Sequence, residues 1–533
     1  MLYFIPAWYH NNNWCENEQY WYVRRMQTEF DDTVKHIQLF QRSKAYPFRI
    51  MILSFAPNFR HFLHRQSVFH APYWSCFDAI QSVRRKKMTM FSYHNLNWPE
   101  DIEFEYSGFV ALALLHREKY ARLEFGEDGN LIQVDMYKNG KLQRRNIYDD
   151  RGFVSSTMMF DNEQPLYQDY LNDKGVWVIR YYYNDGHVDV NQNNNTYLIE
   201  YNNKEYVKSY MKLSYDSIEQ VITEVLSAYL IYTEQSDIFC VAVHKLHLEL
   251  LKHELKNKKL ILSYYGERFD IKHSIDDLSL IDDANYIIAD SIDNLNRLKQ
   301  RVKQEINNIT DITPFDTRVD FGISQQLNVQ KILVPVDGME EGRFESLIKE
   351  LGNYILTNQN ACIHLFTRNA KFDRKKELLA NTRKYLKKSG LESGWALEED
   401  QTKKAENMVD SSEKVPIKFF VEQCVDELSV SKCVREQRII VDMRKTPELY
   451  LRITGLSVGI PQIIARETPY VEHGKNGFVI NDITKVNDAI SFYLDGLSNW
   501  NEAMICSYEI GKKYTTSVLI EKWKEVIEIV RCN

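Results

Sequence analysis

Turn sequences recur at a nearly constant interval between residues 103 and 190, and this regularity is the strongest constraint on the fold. The turn glycines are separated by 11, 12, 23 and 11 residues and are Gly129, Gly140, Gly152, Gly175 and Gly186. A further turn sequence at 161–163 divides the longest interval. The segments between the turns, such as 131–137 and 176–183, are rich in β-branched and aromatic residues, which favour strands. The pattern predicts a β-meander of five or more strands joined by hairpins.

Short apolar runs alternate with amphipathic stretches on both sides of the meander. The runs before it are residues 2–5, 49–55 and 88–91, and the runs after it are residues 238–243, 259–264 and 286–289. Helix-like stretches follow at 218–230 and 294–307. Such alternation is typical of parallel α/β structure. Because the same pattern stands on both sides, the meander is expected to be an insertion within one α/β domain.

A second α/β set follows a connector around Pro314, where proline disfavours helix. Its apolar runs are residues 331–336, 362–366, 417–421, 438–441, 462–465 and 478–480. The polar stretch 387–414 is interpreted as a mobile loop. The predicted parts are a first α/β domain in two segments (1–102 and 217–315), an inserted β-meander domain (103–216), a second α/β domain (316–515) and a C-terminal closing helix (516–533).

Charge and cysteine usage exclude several classes of partner and site. The chain carries 67 Lys and Arg against 74 Asp and Glu, a net charge of −7 without a long block of one sign, so no nucleic-acid partner is expected. The 8 cysteines contain no C-x-x-C pair, which favours a reducing cytosol and no metal site. The longest apolar run, 109–115, is too short to span a membrane, and the first residues lack a basic signal-peptide segment.

The common catalytic signatures are absent from this sequence. It contains no G-x-G-x-x-G, G-x-x-x-x-G-K-[ST], G-x-S-x-G or H-E-x-x-H pattern. His61, His64 and His70 lie near one another, but no acid or cysteine stands at a matching offset, so a packed or surface cluster is favoured over a metal site. The acidic pairs at 276–277 and 282–283 are interpreted as residues that flank a helix.

The stretch 446–515 carries a resemblance to a known family. A helix-like segment, 447–458, runs into the turn Gly459-Ile460-Pro461, and a later turn, Asn476-Gly477-Phe478, precedes the last strand. This order resembles the carboxy-terminal half of retaining GT-B glycosyltransferases. Residues 312–316 and 322–326, together with the meander, resemble the transferases that modify serine-rich adhesins. The phrases 3–9, 29–33 and 62–65 resemble the first accessory secretory proteins of the accessory Sec export system.

The resemblance implies an α/β, GT-B-like fold with two Rossmann-type domains that face each other across a cleft, the β-meander domain being inserted in the first. In the retaining family, two glutamates eight residues apart hold the hydroxyl groups of the nucleotide-sugar donor. The matching positions here are Thr446 and Thr454, so both carboxylates are missing. Glu448 does not restore the pair, since no acid follows it at position 456. The implied substrate-binding residues of a vestigial cleft are Thr446, Thr454, Gly459, Pro461, Glu467 and Arg343.

Two further departures from the family favour an inactive site. The family places an Arg and a Lys after the first strand of the second domain to neutralise the donor diphosphate. Here Asp337, Glu340 and Glu341 follow that strand with only Arg343 nearby in sequence, and they are expected to repel a diphosphate. The loop after the first strand of the chain, 6–9, also lacks the glycines that let backbone N–H groups approach phosphate.

The resemblance implies a non-catalytic subunit of the accessory Sec system without a cofactor. Its implied partners are two other accessory secretory proteins, a serine-rich repeat glycoprotein adhesin that it binds and helps deliver, and the motor of the accessory translocase. The implied location is the cytoplasm, with peripheral association at the inner face of the cell membrane allowed. An active retaining nucleotide-sugar-dependent glycosyltransferase acting on the adhesin is the alternative, and a purely structural scaffold is a third class.

Overall fold

A computed structural model describes residues 1–9, 13–15, 30–108, 110–126, 129–266, 268–269, 284–301, 308–318, 320–397 and 416–532. The described chain divides into two compact units. The first unit contains residues 1–290, 294–311 and 523–533, and the second contains residues 291–293 and 312–522.

The first unit contains a seven-stranded parallel sheet. Its strands are β1 (Leu2–Ile5), β2 (Phe48–Ile52), β3 (Tyr73–Ser75), β16 (Ile238–Ala242), β17 (Lys259–Tyr264), β18 (Tyr286–Ala289) and β19 (Ile309–Asp311). Their order in the sheet is β19-β18-β17-β16-β1-β2-β3. Strands β1 and β16 are buried at every position, as expected for central strands covered on both faces. Helices in this part of the chain are Asp32–Ser43, Phe59–Arg65, Cys76–Ile80, Ile218–Leu230, Lys245–Glu254 and Ile292–Arg301.

The same unit carries the predicted β-meander within a ten-stranded antiparallel sheet. The strands of the meander are β4 (Ile102–Ser107), β5 (Val110–Leu115), β6 (Glu118–Phe125), β7 (Leu131–Lys138), β8 (Lys141–Asp149), β9 (Phe153–Asp161), β10 (Gln164–Leu171), β11 (Trp177–Tyr182) and β12 (Val188–Val190). Strand β15 (Ser214–Tyr215) completes the sheet, and β13 (Thr196–Tyr201) pairs separately with β14 (Lys204–Ser209). The order is β15-β12-β11-β10-β9-β8-β7-β6-β5-β4. The strands from β4 to β12 are neighbours both in sequence and in the sheet, which confirms the prediction from turn spacing.

The apolar run 88–91 was expected to be a strand, and this expectation is wrong. The segment is irregular and packs on the meander instead. The Thr89 N–H donates to Asp150 O over 3.2 Å, and the Phe91 ring stacks on Tyr148 with 5.9 Å between centroids. Gly152, with φ +81°, allows this approach because a Cβ there would lie 2.9 Å from Thr89 O. Only Phe91 of the apolar side chains in this run packs against the sheet, while Met88 and Met90 are exposed, so an apolar run alone did not indicate a buried strand.

Buried ionic contacts hold the meander to the parallel part of the first unit. Arg60, on the helix Phe59–Arg65, is bonded through Nε to Asp150 and lies 3.4 Å from Asp149 at the end of β8. Arg151 makes a bidentate pair with Asp78, with N–O distances of 2.7 and 2.9 Å. Removing one partner would leave an uncompensated buried charge, so these contacts fix where the meander sits.

The second unit contains a six-stranded parallel sheet. Its strands are β20 (Gln330–Pro335), β21 (Ala361–Thr367), β22 (Phe419–Gln423), β23 (Ile439–Asp442), β24 (Gln462–Ile464) and β25 (Gly477–Val479), in the order β22-β21-β20-β23-β24-β25. Its helices are Glu341–Thr357, Arg374–Lys388, Glu427–Arg435, Leu449–Val458, Val486–Leu494 and Leu497–Gly511, and the helix Thr516–Cys532 begins in it. These six strands match the six apolar runs of the sequence.

The stretch 387–414 is only partly a loop. Its first residues complete the helix Arg374–Lys388, and a short 3₁₀ turn follows at Ser393–Ala396, where Trp395 is buried. Residues 398–415 lie outside the described chain, as do the acidic pairs at 276–277 and 282–283. Within the described part of the chain, every helix is too short or too polar to cross a membrane.

Candidate functional site at the carboxyl edge of the second sheet

The carboxyl ends of parallel strands meet at one edge of a sheet, where α/β proteins bind their ligands. In the second unit this edge is formed by the loops that follow β20, β21, β23 and β24. Of the six site residues expected from sequence, Thr446, Glu467 and Arg343 follow strands at this edge, and Thr454 lies within the helix Leu449–Val458. Gly459 and Pro461 directly precede β24 and therefore lie at the opposite, amino edge of the sheet.

The two threonines at the positions of the missing acids have different surroundings. Thr446 is exposed in the loop between β23 and the helix Leu449–Val458. Thr454 is only 7% exposed within that helix, and its hydroxyl donates to Tyr450 O over 2.8 Å. The Thr454 hydroxyl is therefore engaged by its own helix. A carboxylate here would lose that bond and have to be buried.

Gly459 and Pro461 have structural reasons for their presence. Gly459 ends the helix Leu449–Val458 with φ 79°, and its N–H bonds to the carbonyls of Gly455 and Leu456. This left-handed cap requires glycine, and a Cβ would also lie 2.9 Å from Met504. Pro461 is buried, and its carbonyl accepts a bond from Ile440 N at 3.0 Å, which joins the turn to β23.

The Asn476-Gly477 turn is also explained by packing. Asn476 is fully buried and accepts a bond from Glu472 N at 2.7 Å while donating to Tyr470 O at 3.0 Å. A Cβ on Gly477 would lie 2.0 Å from Gln462 O, so β25 approaches β24 closely only with glycine there. The motif that carried the resemblance thus stabilises the sheet.

Arg343 and Glu467 lie on different loops. Arg343, in the first turns of the helix Glu341–Thr357, donates through Nε to Met443 O over 2.5 Å, which joins this helix to the end of β23. Glu467 is exposed just after β24. The structure therefore gives Arg343 a bond within this edge and leaves Glu467 at its surface.

The acidic loop after β20 does not present unbalanced negative charge. Asp337 accepts bonds from Thr367 Oγ1 at 2.7 Å and from Arg368 N at 2.7 Å. Each of the three acids also has a basic neighbour, and the pairs are Asp337 with Arg374 at 3.2 Å, Glu340 with Lys445 at 2.5 Å and Glu341 with Lys384 at 3.9 Å. The expectation that only Arg343 stands near these carboxylates is wrong, because the neighbouring cations come from distant positions in sequence. Repulsion of a diphosphate by this loop stays a prediction.

A buried ionic group lies at the end of β23 and consists of Asp442, Arg444 and Arg452. It is called the second cluster because it lies in the second unit. Arg444 makes a bidentate pair with Asp442, with N–O distances of 2.8 and 2.9 Å, and Arg452 Nη2 lies 2.8 Å from the same carboxylate. Burial opposes the charge of Asp442, but the two guanidiniums hold its pKa below its usual range. The second cluster has one acid and two cations.

Several basic residues at this edge are bonded to acidic side chains or to backbone carbonyls. The basic residues are Arg343, Arg368, Arg374, Arg444, Lys445 and Arg452, and their acidic partners are Asp337, Glu340, Asp442 and Glu448. Guanidinium groups in this number favour an anion. Bonds within the edge already use much of their donor capacity, for example between Arg368 and Glu448 at 2.5 Å.

The corresponding edge of the first sheet holds a buried group that the sequence did not identify. This first cluster consists of Asp31, Asp32 and Arg268. Arg268 lies 2.5 Å from Asp32 and 3.1 Å from Asp31, and Trp8 Nε1 donates to Asp31 over 2.9 Å. Burial and the Asp32 charge raise the pKa of Asp31 to about 6. Burial opposes ionisation of Asp32, but Arg268 lowers the pKa of this carboxyl to about 2.

Two neutral histidines lie in the same region of the first unit. His247 Nδ1 lies 2.6 Å from Ala242 O and donates to it, so Nε2 accepts from the Tyr9 hydroxyl at 2.5 Å. Burial lowers the pKa of His247 to about 3 and that of His36 to about 4. In the sequence, only residues 29–33 pointed to this region, and Asp31 among them caps the helix Asp32–Ser43. The sequence did not reveal the ionic group because its partner Arg268 stands more than 200 residues later.

Comparison with known proteins extends over nearly the whole chain. The family model that describes accessory secretory protein 1 of the accessory Sec system matches residues 1–529. The accessory Sec system protein of the same name from Streptococcus gordonii is 30% identical over 544 residues, which cover 98% of each chain.

Solved structures agree with this comparison. A crystal structure of accessory secretory proteins 1, 2 and 3 from Streptococcus pneumoniae matches with a TM-score of 0.80 and 28% identity, covering 100% of this chain and 99% of the other. The pneumococcal O-GlcNAc transferase GtfA matches with a TM-score of 0.68 and 13% identity over 99% and 98% of the two chains, which shows a common GT-B fold. The chain belongs to the accessory secretory protein 1 family of the accessory Sec system.

Proposed function

We propose that this chain is a non-catalytic subunit of the accessory Sec export system that binds a serine-rich repeat glycoprotein adhesin and helps deliver it to the accessory translocase. The family match over residues 1–529 supports a role for the whole chain in this system. The solved assembly of accessory secretory proteins 1, 2 and 3 supports two further secretory proteins as its direct partners. The adhesin and the translocase motor are the partners proposed beyond that assembly.

The observation that carries the non-catalytic part of the proposal is the pair Thr446 and Thr454. Paired carboxylates accept several charge-assisted bonds from sugar hydroxyls, whereas a threonine hydroxyl carries no charge. The Thr454 hydroxyl also donates to its own helix and is nearly buried. Loss of both carboxylates removes the groups that would hold a donor sugar.

Calorimetry with UDP-glucose and UDP-N-acetylglucosamine tests this part directly. We expect no heat of binding for either donor at millimolar concentration, and measurable binding would contradict the proposal. The double variant Thr446→Glu with Thr454→Glu should also bind no donor, since a carboxylate at 454 would be buried beside a helix carbonyl. The matched control is Thr446→Gln with Thr454→Gln, which adds similar volume without charge.

The guanidinium groups at the second sheet's carboxyl edge favour the alternative, an active retaining glycosyltransferase. Arg343, Arg374 and Arg444 bring positive charge to the loop after β20, where a diphosphate would bind in that family. UDP without a sugar distinguishes the two functions. Binding of UDP that is lost in Arg343→Met, accompanied by donor hydrolysis in the unmodified chain, would establish the enzyme.

Co-purification tests the assembly and the cargo. We expect the chain, its two partner secretory proteins and the adhesin to elute together, and the chain to retain binding to the glycosylated adhesin when both partners are omitted. Retention of the partners without any adhesin or glycan binding by this chain would instead indicate a structural scaffold.

We further propose that the meander provides the surface that contacts a secretory partner or the adhesin. Exposed apolar side chains on its strands or turns are Tyr106, Leu166 and Val176, with 65%, 47% and 44% exposure. Leu166 on β10 and Val176 directly before β11 belong to neighbouring strands, whereas Tyr106 lies on β4 at the far edge of the sheet, so the three residues test the proposed surface at two separate places. Replacing these three residues with serine should weaken capture of at least one partner at least tenfold, whereas Phe372→Ser, an 88% exposed control in the second unit, should not. Unchanged capture by the triple variant would contradict this surface.

A further inference from the structure

The outer strand of the second sheet ends beside two cysteines and a glutamate that the sequence keeps apart. Glu422 lies in β22 and Cys424 directly follows that strand, while Cys433 lies in the last turn of the helix Glu427–Arg435. The carboxylate and the two sulfur atoms lie within 4.8 Å of one another. In the sequence these thiols are nine residues apart and form no C-x-x-C pattern, which is why no metal site was expected.

Backbone bonds hold the three side chains on fixed elements. The Cys424 N–H donates to Thr367 O over 3.0 Å, which continues the pairing of β22 with β21 by one residue. The helix that carries Cys433 begins with a capping box between Asp426 and Ser429. The short connection between strand and helix therefore returns Cys433 to the end of β22, beside Cys424.

A histidine orients the glutamate from the neighbouring strand. His364 in β21 is buried, and its Nδ1 lies 2.7 Å from Glu422 Oε1. This bond favours the charged form and lowers the pKa of Glu422. It occupies one carboxylate oxygen and leaves Oε2 for a second ligand. A hydrogen bond that fixes a ligating side chain from behind is the arrangement found around protein-bound zinc.

We infer that Glu422, Cys424 and Cys433 form a binding site for a borderline-soft divalent cation, with Zn²⁺ as the preferred ion. Two thiolates and one carboxylate are a donor set that selects zinc over the hard cations Mg²⁺ and Ca²⁺. Tetrahedral Zn–S bonds of about 2.3 Å place two sulfur atoms roughly 3.8 Å apart. Side-chain movements of about 1 Å or less therefore bring the two sulfur atoms, which lie within 4.8 Å, to that separation. Each thiol gives one proton to solvent as its Zn–S bond forms, and water takes the fourth position.

The surrounding charges allow the divalent ion. Lys331 and Lys375 favour the charged form of Glu422, whereas Glu436 disfavours the thiolate form of Cys433. Lys331 is paired with Glu436 at 2.5 Å, so the nearest cation is already balanced. Cys424 is 5% exposed and Cys433 is half-buried, which leaves an approach for the ion on the helix side.

Zinc titration of the full chain, purified with all thiols reduced, tests this site. We expect one Zn²⁺ per chain, and Co²⁺ in its place should give the near-ultraviolet absorption of two thiolate-to-metal bonds. Cys424→Ser and Cys433→Ser should each weaken Zn²⁺ binding at least 100-fold, and His364→Gln should weaken it about tenfold. Cys506→Ser is the matched control, since Cys506 is also half-buried on a helix.

Three results would overturn the assignment. The first is tight one-to-one zinc binding that survives in the double variant Cys424→Ser with Cys433→Ser. The second is a Co²⁺ spectrum without thiolate bands, and the third is a reduced chain that takes up no zinc but forms a Cys424–Cys433 disulfide on oxidation. A folding defect in a cysteine variant does not decide the matter, because Glu422→Gln and His364→Gln keep both thiols and must still lower the affinity. None of these results depends on whether the chain transfers sugar.

Discussion

The two parallel sheets each bury an acid–arginine cluster at the carboxyl edge, but the two clusters have opposite stoichiometry. The first cluster places two acids, Asp31 and Asp32, against Arg268. The second cluster places Asp442 against Arg444 and Arg452. Burial and the charge of Asp32 raise the pKa of Asp31, whereas Arg444 and Arg452 lower the pKa of Asp442 against the effect of burial. The same kind of group therefore makes one edge accept a proton readily and the other favour an anion.

This difference bears on how a transferase fold can lose its chemistry. At the first edge, two hydrogen bonds hold the residues that follow β1. Trp8 donates to Asp31, and the Tyr9 hydroxyl donates to the neutral His247. At the second edge, Thr446 and Thr454 stand at the positions that the resemblance assigns to two donor-holding glutamates, in the same part of the chain as the buried Arg444 and Arg452. Under the proposed function, replacement of these carboxylates with the supporting charges kept leaves a surface that binds without transferring sugar.

The largest expected effect comes from removing the lone cation of the first cluster. Arg268→Met leaves Asp31 and Asp32 buried and unpaired, and it also removes the bonds that Arg268 donates to the carbonyls of Val243 and Ser263. We expect a loss of about 3–5 kcal/mol of unfolding free energy at pH 8, measured by chemical denaturation. Arg84→Met, which removes an exposed pair with Glu205, is the control and should cost less than about 1 kcal/mol. A small effect of Arg268→Met would show that the two acids are protonated or solvated.

Acidification should destabilise the first unit more than the second. Burial holds the pKa values of His36 and His247 far below the 6.5 of an exposed histidine. The unfolding free energy is therefore undiminished above pH 6.5 and falls as the pH drops towards 4, because only the unfolded state then gains protons at these histidines. At pH 5 each histidine should cost about 2 kcal/mol relative to pH 8. Asp31 acts in the opposite sense, since its raised pKa recovers roughly 1 kcal/mol as it gains a proton.

Melting temperatures between pH 8 and pH 5 measure this dependence. His247→Gln should remove about half of the histidine contribution to the slope, at the cost of lower stability at pH 8. The control His70→Gln changes an exposed histidine and should leave the slope unaltered. If the slope is the same in His247→Gln as in the unmodified chain, the neutral Tyr9–His247 pair does not determine the acid response.

Local patterns predicted the elements of this fold well, and long-range pairing accounts for what they missed. The predicted strands 131–137 and 176–183 differ from β7 and β11 by only one residue at one or both ends, because turn spacing and side-chain periodicity are local properties. The clusters depend on partners such as Arg268 that only the folded topology brings together. Segment 88–91 was assigned wrongly because a short apolar run does not by itself show that a strand is buried, and Met88 and Met90 are exposed here.

At the candidate site, residue types were predictable from the sequence, whereas the partners of those residues were not. Absence of carboxylates at Thr446 and Thr454 is visible in the sequence, and their surroundings agree with a role that needs no charge. The balance of charge around Asp337 was not predictable, since its partners Arg368 and Arg374 follow the next strand rather than the same loop. Cys424 and Cys433 were likewise interpreted as separate thiols, because a strand and a helix turn bring them together.

A smaller effect is expected from the tryptophan that supports Asp31. Trp8→Phe removes the donor 2.9 Å from this carboxylate, and a buried bond to a charged acceptor contributes about 2 kcal/mol. The loss should shrink at pH 5, where Asp31 is largely protonated. Trp98→Phe is the matched control, because Trp98 Nε1 donates to the neutral carbonyl of Tyr93 over 2.8 Å. Denaturation at both pH values should show a pH-dependent loss for Trp8→Phe and a constant one for Trp98→Phe.

The smallest effect should come from removing a cation of the second cluster. Arg452 is 3% exposed, burial lowers its pKa, and its Nε has no hydrogen-bond partner among the described residues. Arg452→Met leaves a balanced pair of Asp442 with Arg444, so the unfolding free energy should change by less than about 1 kcal/mol. Arg444→Met is the contrasting variant, because it removes the bidentate bond and should cost about 2–4 kcal/mol. If Arg452→Met costs as much as Arg268→Met, the ratio of acids to cations does not explain the difference between the two edges, and depth of burial alone would account for both.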